Sequence, residues 1–299
     1  MSVELEGTDI KAMISERYGA RARAVLENGT SSCCGSQTSC CGSVPTGVNA
    51  FSEGLYAVDE LDGVPLQAAL ATLGCANPVA LSELHPAEIV LDVGSGGGLD
   101  VILSARRVGP AGHAYGLDMT DEMLQLAWRN ALDAKVDNVT FMKGDVEAMP
   151  IPDNSIDVVI SNCVINLSTN KDRAFAEIYR VLKPGGRLAV ADVVVRGGLP
   201  EDSPIADLMR RDPVAWGNCV AGALNDAEYE TKLVAAGFVD TGLQVLRTHQ
   251  TEELLGACLP TWCREFSRAE LDAVMCRFTS SLVRARKPAT PSDRNGRHG

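Results

Sequence analysis

Ten cysteines and one glycine-rich heptapeptide are the residues of this 299-residue sequence best suited to chemistry. The heptapeptide, Asp92-Val93-Gly94-Ser95-Gly96-Gly97-Gly98, follows the apolar run 88–93 and precedes a helix-like stretch that starts near Asp100. Glycines at 94, 96 and 98 let a backbone turn sharply and approach a ligand with no Cβ in the way, which suits a nucleotide. A dinucleotide fingerprint needs a further glycine at position 99, and Leu99 stands there. That departure points to a cofactor without a pyrophosphate. Asp118 closes the next apolar run about twenty residues on, where a carboxylate accepts hydrogen bonds from ribose hydroxyls. Asp145-Val146 and Asn162 close the third and fourth runs. Ligands of open α/β sheets bind at these strand ends, so the four positions converge on one crevice.

Three cysteines are placed near that crevice. Cys163 directly follows the fourth run, in Ser161-Asn162-Cys163-Val164-Ile165-Asn166-Leu167. Cys219 lies in Trp216-Gly217-Asn218-Cys219-Val220-Ala221-Gly222-Ala223-Leu224, and Cys75 in Gly74-Cys75-Ala76-Asn77-Pro78, just before the first run. Cys33, Cys34, Cys40 and Cys41 sit in a Ser, Gly, Thr and Pro segment, 30–49, whose composition cannot bury much surface and predicts a mobile loop. Zinc chemistry is disfavoured: there is no C-x-x-C pair, and His85, His113, His249 and His298 are scattered. Any one of these cysteines alone reads as a small buried hydrophobe; the combination calls for another account.

The elements that must hold these residues follow from periodicity. Apolar runs at 88–93, 113–119, 138–145, 156–162 and 186–195 alternate with helix-like segments, which predicts a parallel, doubly wound α/β sheet. Lys183-Pro184-Gly185-Gly186 reads as the turn between a helix and the fifth strand. Upstream, Ile10, Met13, Ile14 and Tyr18 share one face of a helix over 8–27, and residues 65–84 read as a helix and connection leading to Cys75. Downstream, 200–225 shows little periodicity. A helix ends at Gly237-Phe238, a strand follows at 243–248, and helices are expected near 251–258 and 267–276 before a short SLVRARK segment. The expected organisation is an N-terminal helix and Cys-rich arm (1–64), a nucleotide-binding domain (65–198), a C-terminal α+β cap (199–287) and a disordered tail (288–299). At 45% hydrophobic and 22% charged residues the chain is of ordinary globular composition. Its net charge of −12 would repel a phosphate backbone, which argues against nucleic acid. No apolar run approaches the roughly 18 residues of a membrane span, and the N-terminus lacks a signal-peptide layout. The expected location is therefore the cytoplasm, where thiols stay reduced.

The heptapeptide resembles the D-x-G-x-G-x-G motif of class I S-adenosylmethionine-dependent methyltransferases, over roughly residues 85–250. That resemblance implies a Rossmann-like sheet and cofactor contacts from Asp92, Gly94, Ser95, Gly96, Gly98, Asp118, Met119, Asp145, Val146 and Asn162. A narrower resemblance covers nearly the whole chain. Arg17-Tyr18-Gly19, the early cysteine segment, Gly74-Cys75, Leu91 to Thr120, Ser161 to Ser168, Arg180 to Gly186, Trp216 to Leu224 and Arg277 to Pro288 are similar to the arsenite methyltransferases. It implies that Cys163 and Cys219 are the central arsenic ligands and Cys75 the third thiolate. One early cysteine, Cys33 or Cys34, would be the redox partner of Cys75, and thioredoxin or glutathione would be the external reductant. Two departures stand out: Cys-Cys-Gly occurs twice, at 33–35 and 40–42, and Ala76 replaces a glycine usual in the family. Cys258, Cys263 and Cys276 match no ligand position. Trivalent arsenic is soft and thiophilic, so thiolates suit it where carboxylates do not. Rival readings are a methyltransferase of another small metabolite, such as a quinone or sterol, and a non-catalytic metalloid-binding protein.

Overall fold

The structure, a computed structural model, describes residues 7–28, 55–57, 59–72, 74–200, 202–255 and 260–289. Seven strands form one sheet: β1 (Ile89–Val93), β2 (His113–Asp118), β3 (Val139–Lys143), β4 (Ile156–Asn162), β5 (Leu182–Val195), β6 (Val239–Thr248) and β7 (Phe278–Arg286), in the order β3-β2-β1-β4-β5-β7-β6. The first five are parallel and β7 runs antiparallel between β5 and β6. Helices α1 (Gly7–Asn28), α2 (Leu66–Ala71), α3 (Pro78–Leu81), α4 (Leu99–Val108), α5 (Asp121–Asp133), α6 (Lys171–Val181), α7 (Pro204–Arg211), α8 (Pro213–Gly217), α9 (Asp226–Ala235), α10 (Thr251–Leu255) and α11 (Arg268–Met275) complete the described fold.

Parallel strands need both faces covered, and the side chains divide accordingly. Leu91, Val159 and Val190 pack with Phe175 and Ile178 of α6 and Tyr229 and Leu233 of α9. Val90, Val158 and Ile160 face the other way, against Leu99 and Leu103 of α4. A third apolar cluster lies over the carboxyl ends of β4 and β5. There Ile10 and Ile14 of α1, Ile205 and Met209 of α7, Ala215 of α8, Leu254 of α10 and Leu271 of α11 surround Cys75, Cys163 and Cys219. The face predicted for α1 is the face it buries.

Several expectations need correction. The SLVRARK segment is the end of a nine-residue strand, β7; its Thr279-Ser280-Ser281 stretch is polar yet buried, because Thr279 Oγ1 donates to Val194 O (3.2 Å) and Ser280 pairs with His249 (2.8 Å). Residues 200–225 hold two short helices, each started by an oxygen cap followed by proline: Ser203 before Pro204, and Asp212 before Pro213. Lys183-Pro184-Gly185-Gly186 is a bulge inside β5, where the pairing with β4 jumps from Ile156–Leu182 to Val158–Arg187. β6 starts at Val239, ahead of the expected 243. Helix α10 covers 251–255; residues 256–259 lie outside the described residues, as do Cys33, Cys34, Cys40, Cys41 and Cys258. Beyond position 199 the chain returns to the same sheet as β6 and β7. No described helix is long and apolar enough to cross a membrane.

Candidate active site

The glycine loop turns from β1 into α4 and is pinned to the end of β2: the N–H groups of Gly94 and Ser95 donate to Leu117 O at 2.7 and 2.9 Å. Gly94, Gly96 and Gly98 all have positive φ. A Cβ on Gly94 would lie 2.0 Å from Val164 Cγ2, and one on Gly98 would lie 3.0 Å from Phe141 Cζ. Glycine is thus required at 94 for contact with the loop after β4, and at 98 for helix packing. Asp118 accepts from Gly96 N–H (3.0 Å), from Thr120 N–H (2.9 Å) and from the Thr120 hydroxyl (2.7 Å), which fixes its carboxylate at the rim.

A cavity, open on one side, runs along this loop. Asp92, Gly94, Ser95, Gly96, Asp118, Met119, Asp145, Val146 and Asn162 line it, and Gly98 lies behind it. Asp92 is 2% exposed, and its Oδ1 has no hydrogen-bond partner among the described residues. Burial, then the neighbouring Asp100 and Asp118, push its carboxyl well above the usual range. A buried acceptor without a partner costs free energy unless a ligand donor meets it. The amino group of S-adenosylmethionine is such a donor, and the Cβ-free loop leaves room for its nucleoside, so the residues present fit that cofactor.

Helix α1 supplies wall residues that the sequence did not assign: Lys11, Ile14 and Tyr18. Lys11 bridges Asp145 (2.6 Å) and Glu147 (2.7 Å), Arg17 donates to Asn218 Oδ1 (2.6 Å), and Arg21 donates to Leu70 O (2.7 Å). These contacts lay the helix across the cavity. Tyr18 borders both the cavity and the thiol cluster. The Arg17-Tyr18-Gly19 motif was the available signal.

Cys75, Cys163 and Cys219 are 2%, 4% and 4% exposed. The Cys219 and Cys75 side chains beside Cys163, followed by burial, push its thiol well above the ordinary value. Cys219 Sγ donates to Cys163 O at 3.0 Å. Among the described residues no three His, Cys, Asp or Glu side chains have the spacing of a preformed metal site. Cys163 (φ +63°) and Cys219 (φ +61°) both adopt left-handed backbone, which costs a non-glycine residue about 1–2 kcal/mol. Their N–H groups are held by Ala191 O (2.8 Å) and Trp216 O (3.0 Å). Asn166 joins the two loops by donating to Val193 O (2.7 Å) and Cys219 O (3.2 Å). Backbone strain of this kind persists where the surroundings over-determine it, commonly at functional sites. Cys263 is buried in the same cluster, whereas Cys276 is exposed.

Beneath the cysteine loops lies Asp192, fully buried, accepting from the Tyr229 hydroxyl at 3.2 Å. Burial raises its carboxyl to about 7, against hydrogen bonds and the Lys171 charge that pull it down. Between about pH 4 and pH 7 the folded protein therefore keeps a proton that the unfolded chain has released. Stability falls as pH rises through that window, by about 4 kcal/mol in all. Asp192→Asn should accordingly raise the melting temperature at pH 8 relative to the unsubstituted chain, with the difference vanishing towards pH 4. Equal melting shifts at both pH values would contradict the assignment.

A parallel sheet with an antiparallel β7 inserted, a glycine loop after β1 and acids at the ends of β1 and β2 around one crevice define a class I S-adenosylmethionine-dependent methyltransferase. Residues 84–237 match a methyltransferase-domain family. The arsenite methyltransferase of Halobacterium salinarum is 34% identical over 97% of this chain and 69% of its own length. The human arsenite methyltransferase is 34% identical over 67% of this chain, which spans 55% of that protein. Among solved structures, the arsenic(III) S-adenosylmethionine methyltransferase of Chlamydomonas reinhardtii superposes with a TM-score of 0.59 at 30% identity, covering 78% of this chain and 73% of its own. The chain belongs to the arsenite methyltransferase family.

Proposed function

We propose that this protein transfers methyl groups from S-adenosylmethionine to trivalent arsenic bound by Cys75, Cys163 and Cys219. One observation carries the reading: Cys75, Cys163 and Cys219 are buried in one cluster, and the residue after Cys163, Val164, forms the cavity wall against Gly94. Bound S-adenosylmethionine supplies an electrophilic methyl on a sulfonium. Asp92 would receive its amino group, Asp118 its ribose hydroxyls, and Gly94 to Gly97 would admit the nucleoside at van der Waals distance. Arsenous acid exchanges three hydroxyls for three cysteine sulfurs and releases three waters, each thiol proton leaving with a hydroxyl. The arsenic lone pair remains, and electron-rich sulfurs make it a better nucleophile. Fixing both reactants beside each other lowers the barrier by up to about 7–11 kcal/mol in favourable cases. The apolar cluster around the sulfurs excludes water from the bound metalloid.

Methyl transfer formally oxidises arsenic to the pentavalent state. Two cysteine thiols would return the two electrons and close a disulfide, which thioredoxin or glutathione reopens by exchange. Cys33 or Cys34 is our candidate partner for Cys75 in that step, and both lie outside the described residues. Such a cycle requires a reducing compartment, in keeping with a cytoplasmic location. Incubation with arsenite, S-adenosylmethionine and thiol, followed by arsenic speciation, tests the reading; methylarsenicals are expected, and their complete absence would overturn it.

A further inference from the structure

Asn162 ends β4 at the cavity wall, yet its amide is committed to the cysteine side. Its Oδ1 accepts the Cys75 N–H at 2.9 Å, and its Nδ2 donates to Ala76 O at 2.7 Å. The preceding residue, Gly74, packs so closely that a Cβ there would lie 2.0 Å from Asn162 Nδ2. On the other side Nδ2 reaches Asp100 Oδ2 at 3.4 Å, and Tyr56 holds the second oxygen of Asp100 with a 2.8 Å hydrogen bond. Asp100, Asn162 and Gly74 all line the same cavity as Asp92. One side chain thus touches the cavity and clamps, from both backbone sides, the loop that presents the third sulfur.

We propose that Asn162 is a positioning residue that couples occupancy of the cofactor cavity to the placement of Cys75. A ligand that contacts Asp100 or Asn162 biases the amide, and the amide fixes the Cys75 backbone within reach of Cys163. The converse follows by reciprocity: arsenic that locks Cys75 holds the amide and tightens the cavity by the same factor. The coupling rests on the functional reading above; the clamp itself does not.

The experiment uses the full chain, with S-adenosylhomocysteine as the cavity probe and arsenite as the thiol probe. Saturating S-adenosylhomocysteine is expected to lower the arsenite Kd at least about fivefold in the unsubstituted protein, the low end of ordinary allosteric couplings. In Asn162→Ala the factor should fall to about one, and in the ligand-free protein alkylation of Cys75 by iodoacetamide, followed by peptide mass spectrometry, should quicken about tenfold. Asn162→Asp, which keeps the volume and the acceptor for Cys75 N–H but loses both donations, should lose the coupling with a smaller gain in alkylation. This second variant serves if the alanine one misfolds by circular dichroism. Retention of the full coupling in a folded variant, or Cys75 alkylation no faster than in the unsubstituted protein, would refute the proposal. So would independent binding of the two probes to the unsubstituted chain. A protein that binds no arsenite at all would refute the functional reading instead, while the alkylation rates would still decide whether the clamp exists.

Discussion

Cys163→Ser and Cys219→Ser are each expected to cut production of methylarsenicals by more than about 100-fold, beyond the 10- to 100-fold typical of losing a residue that merely supports a metal ligand. Binding of S-adenosylhomocysteine should hold within about threefold, because neither cysteine is among the residues that line the cofactor cavity. Serine preserves shape and removes the soft donor, so the loss isolates sulfur chemistry from packing. The left-handed backbone at both positions permits a sharper test. Glycine relieves strain that alanine retains, so Cys163→Gly should be more stable than Cys163→Ala by about 1 kcal/mol, against the usual order in which glycine is the less stable. Both should be equally inactive. Denaturant midpoints and arsenic speciation on the same preparations separate the two effects, and undiminished methylation by either serine variant would remove that cysteine from the ligand set.

Much of the cofactor side was legible because its signals are local. Glycine at 94, 96 and 98 announces unusual backbone, and carboxylates at the ends of apolar runs announce a crevice rim; nine of the ten expected positions do line one cavity. The thiol side was legible only by resemblance, since nothing in the spacing of Cys75, Cys163 and Cys219 dictates that they meet. Their convergence depends on α1, α7, α8, α10 and α11 closing an apolar shell over the ends of β4 and β5, a non-local result. The left-handed cysteines carried no signal at all, because cysteine has no preference for that conformation as glycine and asparagine do. Strand β7 escaped because Thr279, Ser280 and Ser281 break the apolar run, and their burial depends on partners on β5 and beside β6. The Ser203-Pro204 and Asp212-Pro213 helix starts are legible from capping chemistry alone, an oxygen cap followed by proline.

The contact between Gly94 and Val164 carries the second large effect, since it is where the cofactor loop touches the chain segment bearing Cys163. Alanine at 94 meets two penalties: left-handed strain at φ +76°, and a Cβ 2.0 Å from Val164 Cγ2. The two together are expected to cost about 2–5 kcal/mol of folding stability. Gly96 is the internal control. Its φ of +49° imposes the same strain, but its nearest neighbour to a new Cβ is Met123 Sδ at 3.9 Å, an ordinary contact. Gly96→Ala should therefore cost only about 1–2 kcal/mol. The difference between them measures the steric part, which urea unfolding of the ligand-free protein can read directly. Trimming the obstacle should recover much of it: the penalty of Gly94→Ala should shrink in a Val164→Ala background, a coupling that strain alone cannot produce. Because Val164 follows Cys163, Gly94→Ala should also weaken arsenite binding more than Gly96→Ala does. Equal losses of stability at 94 and 96, with no coupling to position 164, would mean that the cofactor loop and the cysteine loop are mechanically independent.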